Sequence, residues 1–314
     1  MEILYFFESI RNPILDAFFS AVTYFGHELL FIILVLIMFW CVDKRGGYYL
    51  LVVGLGGTMI NQGLKMMFRI PRPWVLDPDF TIVESAREAA TGYSFPSGHT
   101  QCAVGAWGCV ALWEKKRMVR ILALLPLLLV PVSRMYLGVH TPLDVGVSFV
   151  IALLLVFAVY PLMMRTETRP ALLTAALWVV FALGAADILY LTLYNFPADV
   201  DAAHLLDAVS TAWKLTGAAL GMVLVWIIDH RYLHFETKAV WYAQILKVVL
   251  GVAAVLLVKE LFKAPLRAIL PDSLADGVRY FLVAVTAGSI WPLTFPYFAK
   301  LSKKTQKTNH KRTP

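Results

Sequence analysis

Residues 133–165 read SRMYLGVHTPLDVGVSFVIALLLVFAVYPLMMR. Ser133, Arg134, His140 and Asp144 crowd the first part, and the stretch 145–164 that follows carries no charge. Twenty helical residues at a 1.5 Å rise reach about 30 Å, the thickness of a bilayer's hydrocarbon core. A dense polar motif therefore opens straight onto a membrane-spanning helix. Ionisable groups are costly at such a boundary and usually mark function.

The rest of the chain repeats the apolar pattern. Of 314 residues, 59% are hydrophobic and 16% charged, and the mean hydropathy is +0.69, which excludes an ordinary soluble domain of this length. Nine stretches read as membrane helices: 25–42, 47–68, 98–113, 118–139, 141–164, 170–194, 206–228, 239–262 and 277–299. The expected fold is all-α, a multi-pass helical bundle. Residues 1–24 mix Phe, Leu and Ile with Glu2, Glu8, Arg11 and Asp16, which suits an amphipathic interfacial helix or a shallow tenth segment. No basic n-region precedes that apolar run, so a secretory signal is not expected.

Loop charges set the orientation, because cytoplasmic loops retain Lys and Arg. One alternating set holds Lys44, Arg45, Lys115, Lys116, Arg117, Arg120, Arg165, Arg169, Arg231, Lys238 and the tail's Lys300, Lys303, Lys304, Lys307, Lys311 and Arg312. The opposite set has only Lys65, Arg69, Arg72, Arg87, Lys263, Arg267 and Arg279. The richer set, with the C-terminus, is expected in the cytoplasm. The basic tail serves as a topogenic anchor, and nucleic acid is not an expected partner. Cys41, Cys102 and Cys109 lie in apolar spans without CxxC spacing and carry no redox message.

Three polar clusters fall at span ends on the other, extracytoplasmic side. They are Lys65 with Arg72-Pro73, then Pro96-Ser97-Gly98-His99, then Ser133-Arg134 with His140 and Asp144. A transferring phosphoryl group spreads negative charge over its oxygens and needs converging donors. Lys65 offers a point charge, and Arg72 and Arg134 offer planar forks. Ser97 and Gly98 open a helix whose free N–H groups and dipole would face an anion. His140 and Asp144, four residues apart behind Pro142, can pair on one helical face, with the carboxylate fixing the imidazole tautomer. His140 is then the nucleophile, and His99 the acid that protonates the leaving alkoxide and later activates water.

The pattern Lys-x6-Arg-Pro, Pro-Ser-Gly-His and Ser-Arg-x5-His-x3-Asp resembles the signature of the type-2 phosphatidic acid phosphatase family, which is related to vanadium haloperoxidases. Every signature position is filled. The resemblance implies a metal-independent, cofactor-free helical phosphatase. In it Lys65, Arg72, Ser97, Gly98 and Arg134 hold phosphate, His140 attacks, His99 protonates and Asp144 assists. It covers the first half of the chain, giving a phosphatase core over 1–168 and a four-helix membrane extension over 169–314.

The expected substrate is a membrane lipid phosphate of the phosphatidic acid, phosphatidylglycerol phosphate or undecaprenyl diphosphate class. Rival readings are a sugar-phosphate phosphatase resembling glucose-6-phosphatase, a lipid transporter or scramblase that only binds phosphate, and a haloperoxidase. A zinc site at His99, His140 and Asp144 is disfavoured because three cations would surround the metal. In a bacterium the site would lie outside the plasma membrane. In the second half, Asp187, Lys214, Lys247, Lys259 and Glu260 are expected to join helices to one another.

Overall fold

The computed structural model describes residues 1–198 and 200–301, and every regular element among them is helical. Lys303, Lys304, Lys307, Lys311 and Arg312, part of the orientation argument, lie outside the described residues. The α-helices are α1 (Glu2–Ser9), α2 (Pro13–Thr23), α3 (Glu28–Ile37), α4 (Lys44–Phe68), α5 (Pro73–Leu76), α6 (Gly98–Trp113) and α7 (Arg117–Tyr136). They continue with α8 (Pro142–Arg165), α9 (Ala171–Leu193), α10 (Ala202–Ile228), α11 (Trp241–Leu261), α12 (Lys263–Ile269) and α13 (Asp272–Val285).

Five helices among the described residues are long and apolar enough to cross a membrane, or six if the bent pair Pro13–Gly26 and Glu28–Val42 forms one span. The nine spans read from the sequence are more than this set contains. Helix α6 has 16 residues, and α4 carries Lys44, Arg45, Asn61, Gln62 and Lys65 among its apolar positions. Large apolar side chains stand exposed along the long helices, among them Leu154 and Phe157 on α8, Val179 and Leu189 on α9, and Val249 and Leu257 on α11. Such surface suits acyl chains rather than water.

The start of the chain forms two helices where one interfacial helix was expected. The Asn12 side chain accepts hydrogen bonds from Ile14 N and Leu15 N, and Pro13 takes the first helical position, so α2 starts afresh after α1. A 50° bend then separates α2 from α3.

The chain divides into two compact units. The first comprises Met1–Leu34, Tyr49–Thr168 and Leu193–Ala208. At its centre α6 packs on α7 and α8, while α1 and α2 lie against α7. Ala103, Val104, Leu127, Val130 and Ala152 form the small-residue core of that contact. Gly108 is needed there, since an added Cβ would meet Val156 at 3.1 Å. The loop between α4 and α6 folds under α1, with Phe80 and Ile82 buried on Leu4. Trp74 packs against these residues and against Tyr136 and Leu137, so it belongs to the loop's own core.

The second unit holds Val35–Tyr48, Arg169–Thr192 and the described residues from Val209 onward. Within it α11, α12 and α13 pack on one another. The backbones of α10 and α13 touch, because a Cβ at Gly217 would come 1.9 Å from Gly277 O. Lys247 donates to Thr237 O at 2.9 Å and lies 4.4 Å from the Phe295 ring centroid, so it does join segments of this unit.

Candidate active site

The link between α7 and α8 fixes the central histidine. Helix α7 closes in a Schellman turn, with Gly138 N donating to Met135 O at 3.0 Å and Val139 N to Arg134 O at 3.2 Å. That turn requires a left-handed residue, and Gly138 has φ +79°. Three residues later Thr141 caps α8 in a capping box with Asp144, and Pro142 takes the first helical position. His140 is thus held between two local backbone motifs and is almost fully buried.

Its two ring nitrogens face different partners. Nε2 lies 3.0 Å from Arg72 Nη1. Nδ1 lies 3.4 Å from Ser94 Oγ, which donates to Asp144 Oδ2 at 2.5 Å. Asp144 Oδ2 itself stands 3.6 Å from Nδ1, beyond hydrogen-bond range. The expected pair is therefore a relay through Ser94, because Oδ2 is also drawn to Thr141 N at 2.7 Å by the cap. With Nδ1 as donor to Ser94, the Nε2 lone pair points to the guanidinium. Burial, then Arg72, Arg134, Lys65 and His99, push His140 well below the usual histidine range, so its imidazole is neutral. All four cationic or imidazole groups that the sequence nominated thus bear on one ring.

Arg72 is heavily anchored. Its Nε donates to Gly92 O at 3.1 Å, Nη2 to Thr91 O at 2.6 Å and Nη1 to Val139 O at 3.0 Å. Burial lowers it from 12.5 to about 10, which leaves it cationic at neutral pH. Lys65 Nζ donates to the next carbonyl, Tyr93 O, at 2.9 Å. Arg134 donates from Nη1 to Thr23 Oγ1 at 2.8 Å, while its Nε is buried without a partner in the chain.

The start of α6 departs from expectation in one respect. Ser97 N donates to Asp144 O at 3.1 Å, so that N–H is taken by the first turn of α8. The Ser97 hydroxyl oxygen caps α6 by accepting from Thr100 N. Gly98 faces differently: an added Cβ would come no nearer than 4.0 Å, to Asn61 Oδ1. His99 follows on the first turn, its ring centroid 6.1 Å from that of His27. His27 Nδ1 accepts from Leu29 N at the start of α3, which fits a capping role. Ser133 Oγ donates to Val130 O at 2.6 Å, as a helix hydroxyl.

Several buried polar atoms have no partner within the chain: Asn61 Nδ2, Thr100 Oγ1, both amide atoms of Gln101 and Asp144 Oδ1. Arg134 Nε is a further such atom, and buried groups of this kind call for a polar partner such as water or a ligand. Sequence reasoning missed Ser94, Thr23 and Asn61. Asn61 had a signal, since it precedes Lys65 by one helical turn in an apolar stretch; Ser94 and Thr23 had none. Among the described residues no group of three or more His, Cys, Asp or Glu is placed to hold a metal ion.

A neutral buried imidazole stands against Arg72, is linked through Ser94 to Asp144, and feels the charges of Lys65 and Arg134, a grouping that can take an anion. Residues 45–168 match the PAP2 superfamily, and residues 213–304 match the family described as PAP2 superfamily phosphatase, transmembrane extension. Phosphatidylglycerophosphatase B of Bacillus subtilis (strain 168) is 32% identical over 165 residues, 48% of this chain and 76% of the relative. Undecaprenyl-diphosphatase BcrC of the same organism is 28% identical over 153 residues, 48% of this chain and 75% of the relative. A probable sphingosine-1-phosphate phosphatase of Dictyostelium discoideum is 30% identical over 167 residues, 48% of this chain but only 39% of the relative. No solved structure matches the chain. The chain belongs to the PAP2 superfamily, a family of phosphatases by the names its members carry.

Proposed function

We propose that this protein hydrolyses the phosphomonoester or pyrophosphate of a membrane lipid, without a metal or cofactor, through a phosphohistidine at His140. The observation that carries the reading is the line Arg72, His140, Ser94, Asp144. It puts a neutral imidazole nitrogen against a phosphate-binding fork, with a carboxylate relay behind it.

The phosphoryl group takes donors from Lys65, Arg72, Arg134 and the α6 start at Gly98, which disperse the charge on its oxygens. His140 Nε2 then attacks phosphorus while the P–O bond to the leaving group breaks, and His99, protonated once the anionic substrate offsets the cations around it, gives its proton to the departing oxygen. The positive charge on His140 is met by Ser94 and Asp144. Water next attacks phosphorus as the P–N bond to His140 breaks, its proton passes to His99, and inorganic phosphate leaves.

The relatives' names point to lipids with phosphate headgroups, and the apolar helix surface beside the site suits their tails. Phosphatidic acid, phosphatidylglycerol phosphate and undecaprenyl diphosphate are the substrate classes. Nine spans, a cytoplasmic C-terminus, an extracytoplasmic site in a bacterial membrane, and a core over 1–168 with an extension over 169–314 complete the reading. Phosphate release by detergent-purified protein in EDTA, across lipid phosphates and soluble sugar phosphates, tests it. Lipid-selective release is expected; release confined to sugar phosphates, or none from folded protein, would overturn it.

A further inference from the structure

Within the second unit one buried carboxylate draws more cations than it can neutralise. Asp276, on the second turn of α13, accepts from Arg279 Nη2 at 2.6 Å through Oδ1. Arg267 Nη2, from α12, reaches the same oxygen at 3.4 Å. Oδ2 accepts from Ser210 Oγ on α10 at 2.8 Å and stands 4.0 Å from Lys214 Nζ. Asp272 is the other acid of this cluster, 3.7 Å from Arg267 Nε, and its side chain is 80% exposed, so water already screens it.

Three cations therefore share one buried anion at the edge of a membrane bundle. An uncompensated charge is expensive there and calls for a counter-charge. The donors themselves are incompletely used. Arg279 is only 6% exposed, and its Nε is buried without a hydrogen-bond partner. Lys214 and Arg267 keep 27% and 42% of their side chains accessible, so an incoming group can reach them. The short helix α12 buries none of its residues, and Ile269 beside them is 76% exposed. An apolar face next to cations is how a segment sits at headgroup depth.

We propose that Lys214, Arg267 and Arg279 form a binding site for the phosphate of an anionic phospholipid, separate from the His140 centre, with Asp276 holding the three cations in place. The ligand is bound and not hydrolysed: Ser210 donates to Asp276, but that carboxylate is already held by Arg279 and so is not a free base. Asp276 makes the site moderate in affinity by offsetting part of its charge. This gives the two sides of the cluster opposite effects when altered.

Native mass spectrometry of the full-length protein, titrated with phosphatidylglycerol, phosphatidylcholine or inorganic phosphate, tests the site. Arg267→Gln, at an accessible position, should weaken one phosphatidylglycerol-binding event by about tenfold, as expected on losing one charged hydrogen-bond donor. Asp276→Asn should strengthen it. Phosphatidylcholine should bind equally to all variants, and phosphate release in EDTA by Arg267→Gln should match wild type, which separates this site from the His140 centre. Identical phosphatidylglycerol binding in wild type and Arg267→Gln would overturn the proposal. So would competition by inorganic phosphate at equal concentration, because free phosphate would then be the ligand. If Asp276→Asn does not fold, the Arg267→Gln comparison decides alone.

Discussion

Arg72 Nη1 and His140 Nε2 face each other at 3.0 Å, with the guanidinium donating toward the nitrogen's lone pair. A lone pair that accepts a hydrogen bond is not free to attack phosphorus, so substrate must draw that N–H onto its own oxygen. The same fork holds the carbonyls of Thr91, Gly92 and Val139. A lysine could reproduce the charge but not this planar set of contacts. Arg72→Lys should therefore lower kcat/KM by about 10²-fold or more, the scale of losing a preorganised charge-stabilising donor. Steady-state kinetics on a lipid phosphate checks this; a loss of less than about threefold would mean that Arg72 is only structural.

Ser94 offers a sharper separation of roles. Its hydroxyl bridges Asp144 and His140 and touches neither Lys65 nor Arg72 in the contacts described. Ser94→Ala should lower kcat by about 10–100-fold with little change in KM, because orientation of the nucleophile is lost while phosphate binding remains. The stability cost should be about 1–2 kcal/mol for a broken buried hydrogen bond. A rise in KM at unchanged kcat would assign Ser94 to substrate binding instead.

The charge state of His140 follows from burial and from Arg72, Arg134 and Lys65, which all disfavour its cation. Its folded pKa is below the unfolded value of about 6.5, so the unfolded chain binds a proton that the folded protein refuses. The resulting stability is fully present above about pH 6.5 and is lost as pH falls toward the folded pKa. Nuclear magnetic resonance of labelled histidine, with His140→Ala to assign the signal, should show this ring still neutral at pH 5.5 in the absence of phosphate. Titration near 6.5 would contradict the burial argument.

The extension has its own steric test. A Cβ at Gly217 would stand 1.9 Å from Gly277 O, a contact that only separation of α10 and α13 can relieve. Gly217→Ala should cost about 1–3 kcal/mol or more despite the better helix propensity of alanine. Thermal unfolding in detergent reads the shift. Gly146→Ala, on α8 with nothing within 4 Å of the added Cβ, is the matched control and should be neutral or mildly stabilising.

What the sequence disclosed was whatever local chemistry determines. Thr141, Pro142 and Asp144 spell out a capped helix start, and Gly138 a helix stop, so the placement of His140 was legible. Arg72, His140 and Asp144 were legible as a set because each stands beside an apolar stretch of the sequence. Ser94 was not, because only tertiary folding carries it to residues 140 and 144, and a serine before Phe-Pro has no pattern of its own. Thr23 meets Arg134 across 111 residues for the same reason. The free N–H expected at Ser97 was lost to a carbonyl of α8 that no local rule anticipates. Fewer helices than the nine read spans pass on length and composition among the described residues, because Asn61 and Lys65 dilute α4 and α6 has 16 residues.

The central claim is that phosphate passes through His140. Brief reaction with a lipid carrying a ³²P-labelled phosphoryl group, quenched in base and digested, measures it directly. The account predicts a base-stable, acid-labile label on the peptide that contains His140, absent in His140→Ala. Turnover with no covalent label in any variant, or a label at another residue, would contradict it.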